Sequence, residues 1–338
     1  MSDPDVFIIG GGPAGLAAAI AARRRGLSVV VADGNTPPID KPCGEGLMPD
    51  SRRAAHEIGI ELPDAEGFEF RGIRFLGESH TVQADFPYGK GLGLRRPVLH
   101  QSLIETAERA GIELRWSTPI VDLNAVRARF VIGADGSTSR VRRWAGLDSY
   151  ISGSRRYAFR QHFAVAPWAE FMEIHWSEGC QIYVTPISNA EVCVALISKT
   201  PGLHLGDALE RFFPALNARL RNVSPTSQER GAITGSSRLR NVAKRNVALI
   251  GDASGTVDAI TGEGLCLTFR QAAVLADAMV RGDLSTYNRA HPRLAFRSHL
   301  MARTMLLLDH NRSTRKLLLG SLAWQPWIFR TLLHVHVL

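Results

Sequence analysis

The sequence predicts an α/β protein in which a mainly parallel, doubly wound sheet is interleaved with an antiparallel β domain and followed by C-terminal helices. Three observations predict it. Residues 6–9 and 247–250 are short, uninterrupted apolar runs, each ending in glycine and leading into a helix-like segment, as buried parallel strands do. Between them, residues 157–198 hold four β-like runs broken at Pro167, Glu178-Gly179 and Ser188-Asn189, the pattern of an antiparallel sheet. Beyond Gly264 the chain is mostly helical, interrupted near Gly282, Pro292 and Gln325-Pro326.

The first run opens into Gly10-Gly-Gly12-Pro13-Ala14-Gly15, which has G-x-G-x-x-G spacing. Gly10 permits a tight turn, Gly12 lets backbone approach a pyrophosphate, and Gly15 lets helix and strand pack closely, so this end is expected to be Rossmann-like. A small-residue helix over 16–25 is expected to stop at Gly26. The strand at 28–32 then delivers Asp33, placed to accept hydrogen bonds from an adenosine ribose.

A Pro-rich loop follows, then a helix over 50–58 and paired strands over 68–75 and 81–86. A helix begins at Arg96, with Pro97 in its first turn, and runs to Gly111. Residues 112–116 and 130–134 read as strands, the second ending in Asp135-Gly136. An amphipathic helix over 205–221 is expected to break at Pro214. The run at 247–250 ends in Gly251-Asp252, a carboxylate at a strand end close to the helix start near Gly264.

These elements divide the chain. Residues 1–66, 92–150 and 238–285 are expected to form a discontinuous dinucleotide-binding domain, 67–91 and 151–237 a substrate domain, and 286–338 a C-terminal helical segment. Such interleaving places a pocket between the domains.

Composition narrows the classes. With 338 residues, 45% hydrophobic, and 31 glycines, the chain can bury a large core and is not of disordered type. Its four cysteines, Cys43, Cys180, Cys193 and Cys266, form no C-x-x-C and have no metal-like spacing with histidine, so a reduced cytoplasmic setting without a metal is expected. The N-terminal apolar run is too short for a signal peptide, and no stretch approaches a spanning helix. The net charge of +8 is spread over scattered arginines without an aromatic-basic motif. Attraction of an anionic cofactor, acidic substrate or acidic membrane surface is therefore expected, and nucleic acid is not.

Three motifs occur in order: Gly10-x-Gly12-x-x-Gly15, Gly133-Ala-Asp135-Gly136-Ser-x-Ser139-Arg140 and Gly251-Asp252. This order resembles the FAD-dependent superfamily that contains para-hydroxybenzoate hydroxylase, the ubiquinone-biosynthesis hydroxylases, flavin halogenases and geranylgeranyl reductases, over nearly the whole chain. The resemblance implies a glutathione-reductase-type FAD-binding domain. It puts the pyrophosphate on Gly10, Gly12, Pro13, Ala14 and Gly15, and the adenosine ribose on Asp33. It sets Arg96, with Arg95 as the alternative, near the cofactor phosphates and ribityl chain, and gives Asp135 and Gly136 a supporting role. Asp252, after Gly251, falls on the ribityl hydroxyls, and the backbone from Gly262 through Gly264 to Leu265 faces the flavin pyrimidine edge. Helix-terminal N–H groups there would stabilise negative charge on the reduced ring.

The segments Pro42-Cys-Gly-Glu-Gly46 and 258–264 resemble those of geranylgeranyl reductases, whereas the W-x-W-x-I-P motif of halogenases is absent. The chain departs from the family at Ala259, where proline is usual, and over 117–129, where a β-meander is usual. The resemblance implies one of two chemistries. Hydroxylation of a hydrophobic aromatic or polyketide-like molecule with NAD(P)H and O2 ranks first. Reduction of prenyl-type C=C bonds by the reduced flavin ranks second, and a non-catalytic flavin-binding remnant third. NAD(P)H is expected to act transiently, since no second fingerprint is present. Candidates for chemistry are Cys43, by its loop, and Arg160, His162, His175 and Tyr183, which alternate with apolar residues in the β domain; each has a plain structural reading beside the catalytic one. Glu263 reads as a helix-start acid. The basic, apolar tail 312–338 reads as a helix lid over the β domain, with peripheral membrane contact as the alternative.

Overall fold

A computed structural model describes residues 3–310 and 312–336. Val337 and Leu338, at the end of the expected C-terminal segment, and Met1 and Ser2 lie outside the described residues.

The parallel sheet forms as the apolar runs require. Val6–Ile9 lies between Val29–Ala32 and Phe130–Gly133, Glu113–Arg115 extends one side, and Val247–Leu249 extends the other, all parallel. A short antiparallel strand, Ala243–Lys244, closes that edge. The helix Pro13–Arg23 packs on this sheet with Ala17, Ala18, Ala19, Ala21 and Ala22 fully buried, and small side chains let it approach the helix Gly264–Arg281 closely. It starts at Pro13, a turn earlier than expected, because proline fits the first helical position. It ends at Arg23, and Gly26 takes its left-handed conformation in the turn beyond.

The second layer is a seven-stranded sheet ordered Arg230–Thr234, Arg156–Phe163, Glu191–Ser198, Cys180–Ser188, Phe171–Ser177, Gly72–Leu76, Thr81–Asp85. Its pairs are antiparallel, as expected, except that Phe171–Ser177 runs parallel to Gly72–Leu76. The run expected as one strand over 68–75 is two. Phe68–Phe70 joins a small sheet with Gly91–Gly93 and Gly46–Leu47, and Gly72–Leu76 joins the large one. The break falls beside Gly72, where a Cβ would lie 2.0 Å from the Ala84 carbonyl oxygen, so the strand packs there only without a side chain.

One face of the large sheet carries the helices Leu205–Phe212 and Pro214–Leu220, split by Pro214 as expected. The other face buries Met172, Ile174, Tyr183, Ala195 and Ile197 against Leu319, Leu322, Phe329 and Leu333. These last four sit on the helices Arg312–Trp324 and Pro326–His336, so the tail packs over the β layer. The helix Leu284–Leu294 continues through Pro292, and Phe296–His310 follows. Among the described residues no helix is long and apolar enough to cross a membrane.

Candidate active site

Between the two layers lies a cleft of about 1700 Å³. Every cofactor residue expected from sequence lines it except Gly15, which sits just beneath the first turn. A Cβ on Gly15 would come 1.8 Å from the Gly10 carbonyl oxygen, and one on Gly10, whose φ is +114°, would lie 2.4 Å from the Ala134 oxygen. Gly12 differs: beyond its own chain neighbours, no atom of the described residues lies within 4 Å of its Cβ position, so it borders open cleft. It caps the helix Pro13–Arg23 without a side-chain bond, leaving first-turn amides to face the cleft.

Asp33 is oriented by the protein. Its Oδ2 accepts from the Gly11 amide at 2.7 Å, and its Oδ1 accepts from the backbone and side chain of Asn35, both at 2.8 Å. His100 holds the same turn and was not legible in sequence. Its Nδ1 accepts from the Ile39 amide, so Nε2 carries the proton and donates to the Gly11 oxygen at 2.7 Å. Burial lowers its pKa and keeps it neutral.

Asp135 is engaged locally. One oxygen accepts from the Ser139 hydroxyl, and the other from the Arg140 amide at 2.6 Å and the Val141 amide at 3.2 Å. It therefore shapes the turn that presents Gly136 to the cleft. Arg96 begins the helix Arg96–Arg109 and lines the cleft, while Arg95 pairs with Glu191 at 3.2 Å. Arg96 Nε is buried without a hydrogen-bond acceptor among the described residues.

Asp252 projects into the cleft, open to it yet enclosed by protein, and this enclosure raises its carboxyl above the ordinary value, with Lys41 and Arg96 opposing. Its position is fixed from behind by a network. The Gly251 amide donates to Gln271 Oε1 at 2.9 Å, and the Ser254 hydroxyl donates to the Gly251 oxygen at 2.8 Å. His291 Nε2 lies 3.0 Å from both Gln271 Nε2 and Ser254 Oγ. With the Gln271 amide donating, His291 accepts there, and burial lowers it to about 4. Thus two helices clamp the turn that carries Asp252.

At the far end, the 18-residue helix Gly264–Arg281 starts at the cleft with no side-chain cap from Glu263, and nothing lies within 4 Å of a Cβ on Gly264. Gly262 precedes it in the left-handed region. The loop holding Ala259 is pinned without proline: the Asp258 side chain accepts from the Ile260 amide, and the Tyr183 hydroxyl donates to the Ile260 oxygen at 2.6 Å.

Of the candidates for chemistry, Cys43, Arg160 and Tyr183 line the cleft, and His162 and His175 do not. His162 is fully buried, its Nε2 donating to Glu45 Oε2 at 2.7 Å and its Nδ1 accepting from Ser227 at 2.8 Å. His175 instead pairs with Glu173 at 3.1 Å. Arg160 donates to Asp40 at 2.6 Å and lies 3.6 Å from Glu45.

Glu45 is the residue that sequence reasoning passed over. Its φ is +57°, rare for a side chain other than glycine, and its Oε1 accepts from the Arg96 amide at 2.9 Å. It ties the Cys43–Gly46 loop to the helix start on one side and to the β sheet on the other. Ligand atoms of Glu45, His162 and Cys193 converge within 4.8 Å of one another, but Arg160 already balances the carboxylate. Burial and Glu45 push the Cys193 thiol well up, away from a ligating thiolate.

A stretched dinucleotide fits this cleft: unclaimed helix amides and open Gly12 near Asp33, the orphaned Arg96 Nε and the clamped Asp252 midway, and a second uncapped helix start beyond. Residues 4–135 match the family model described as pyridine nucleotide-disulphide oxidoreductase. The chain is 27% identical to a menaquinone reductase of Mycobacterium tuberculosis, covering 83% of this chain and 78% of that one. It is 26% identical to digeranylgeranylglycerophospholipid reductase 1 of Methanococcoides burtonii, covering 83% and 76%. It superposes on a geranylgeranyl bacteriochlorophyll reductase-like protein of Thermoplasma acidophilum with a TM-score of 0.82 at 21% identity, covering 96% of this chain and 92% of that one. The chain is an FAD-dependent oxidoreductase, similar over most of its length to a menaquinone reductase and to a digeranylgeranylglycerophospholipid reductase.

Proposed function

We propose that this protein reduces carbon–carbon double bonds of a long, apolar, prenyl-type substrate. The observation that carries this reading is the wall facing the second helix start: Met48, Ala158, Met172, Ala195 and Ile197 line it, and Arg160, the nearby cation, is held by Asp40. An isolated double bond offers no polar handle, so its recognition rests on apolar burial and shape, at roughly 25 cal/mol per Å². Oxygen-dependent hydroxylation of a phenol is the chemistry the sequence ranks first, and it benefits from a base beside the ring. Among the described residues no histidine lines the cleft, and the two histidine candidates are spent on Glu45 and Glu173. The names of the relatives, reductases of menaquinone and of a geranylgeranyl lipid, support the same ordering.

In this reading Gly10–Gly15 hold the pyrophosphate, Asp33 the adenosine ribose and Asp252 the ribityl hydroxyls. Bound there and first reduced by two electrons, FAD would supply the hydride equivalent for the double bond and return to its oxidised form, with a proton from solvent completing the saturated carbon. The amides of Gly264 and Leu265, at the positive end of an 18-residue helix, favour negative charge at the cofactor's far edge. Met48 and Met172 exclude water and adapt to a flexible chain. Reducing equivalents come from NAD(P)H bound transiently.

The test is anaerobic incubation of the dithionite-reduced protein with a prenylated quinone or geranylgeranyl lipid, followed by mass spectrometry. A product heavier by two hydrogens supports the reading. Unchanged lipid, together with NADPH-driven oxygen uptake on a phenol, overturns it in favour of hydroxylation.

A further inference from the structure

The last three helices turn an apolar, basic surface outward. On Phe296–His310 the exposed side chains Phe296, Leu300 and Leu307 recur at helical spacing, opposite Ala302 and Met305, which are buried. On Arg312–Trp324, Leu317 (73% exposed) and Trp324 (82% exposed) share a face one turn pair apart, while Leu319 and Leu322 pack inward on the β layer. Trp327 (64% exposed) follows the Gln325-Pro326 corner, so two tryptophans flank that corner and meet solvent. Residues 296–338 hold six Lys and Arg and one Asp, which is +5 of the chain's formal +8. Of these cations, Arg297, Arg303, Lys316 and Arg330 are exposed, whereas Arg312 is held by Glu78 and Arg315 is buried.

We infer that this surface docks on an anionic lipid bilayer. Exposed tryptophan and leucine beside Lys and Arg are the composition that lies in the headgroup region, where rings bury shallowly and cations meet lipid phosphates. A second copy of this chain is the other way to cover such a face, but it would set Arg297, Arg303, Lys316 and Arg330 against the same four cations. The bilayer complements both the charge and the apolar rows. Inward, the same helices back the cleft wall: Leu319 and Leu322 pack in one cluster with Met172, Tyr183, Ala195 and Ile197, which line the cleft, and Ala302 and Met305 pack with Ile260. Docking therefore brings the apolar wall of the cleft within a helix's thickness of the membrane. The surface itself stands on its own residues, and only this last consequence rests on the prenyl-lipid reading.

The test uses the full, FAD-loaded chain with vesicles of phosphatidylcholine alone or mixed with phosphatidylglycerol. Co-sedimentation with the mixed vesicles, lost with neutral ones and weakened by salt, is expected. W324S/W327S and R303E/K316E should each reduce vesicle binding at least tenfold while the flavin absorbance and circular dichroism stay those of the native protein. No sedimentation with anionic vesicles, or concentration-dependent dimers that the tryptophan variant abolishes, overturns the inference. Reduction of substrate presented in detergent should survive W324S/W327S. If detergent-dispersed prenyl lipid is not reduced while vesicles still bind, the functional reading fails and the docking surface stands.

Discussion

Acidification from pH 7 to pH 5 should remove a calculable amount of stability at His291. The imidazole sits behind the turn carrying Asp252, accepts at Nε2 from Gln271, and is lowered to about 4 by burial. In the unfolded chain it takes the ordinary value near 6.5. As pH falls, the unfolded state binds the proton first. The native state is therefore fully stable above about 6.5 and loses stability progressively toward about 4. Linkage with these two values gives a loss of about 2 kcal/mol between pH 7 and 5, out of about 3 kcal/mol in all. His291→Gln keeps a hydrogen-bonding group that does not titrate. Urea unfolding, followed by tryptophan fluorescence with excess FAD, gives the stability of both proteins at each pH. Subtracting the variant removes the contributions of other groups, including buried His100. The wild type should lose about 2 kcal/mol more than His291→Gln over this interval. Equal losses would refute the placement of a buried, neutral imidazole behind Asp252.

Gly12→Val and Gly15→Ala should fail differently. The first adds atoms only to open cleft, so the fold should persist with FAD binding lost; the second meets the Gly10 oxygen and should lower the melting temperature even without FAD. Gln271→Leu leaves the buried Gly251 amide without its acceptor, at a cost of about 1–3 kcal/mol, and fluorescence titration should show FAD affinity reduced roughly tenfold. Arg160→Ala leaves Asp40 its second partner, Arg230, but removes the cation beside the buried Glu45, and chemical unfolding should register a loss of about 3–5 kcal/mol, partly restored by the second change Glu45→Gln.

The cofactor half of the cleft was legible because its requirements are local. Gly10, Gly12 and Gly15 must lack side chains for reasons set within a few residues, and Asp33 and Asp252 stand at the ends of apolar strands. The rest depends on contacts distant in sequence. Glu45 meets His162 and Arg160 across 117 and 115 positions, and a glutamate at positive φ leaves only its flanking glycines as a signal. Gln271 and His291 carry no motif, since their role comes from two helices crossing behind Gly251. The alternation that put His162 and Arg160 on one face was sound, yet strand pairing buried the histidine under the loop and left only the arginine at the cleft. The break between Phe70 and Gly72 escaped for a similar reason: periodicity continues through it, and only the approach of Ala84 demands it.

The account rests on Asp252 meeting the bound cofactor midway along the cleft, and flavin fluorescence during titration of the purified protein with FAD tests this most directly. The wild type should saturate at equal amounts of FAD and chain, and Asp252→Ala should bind at least tenfold more weakly while its circular dichroism is unchanged. A wild type that takes up no FAD, or an Asp252→Ala variant with undiminished affinity, would contradict it.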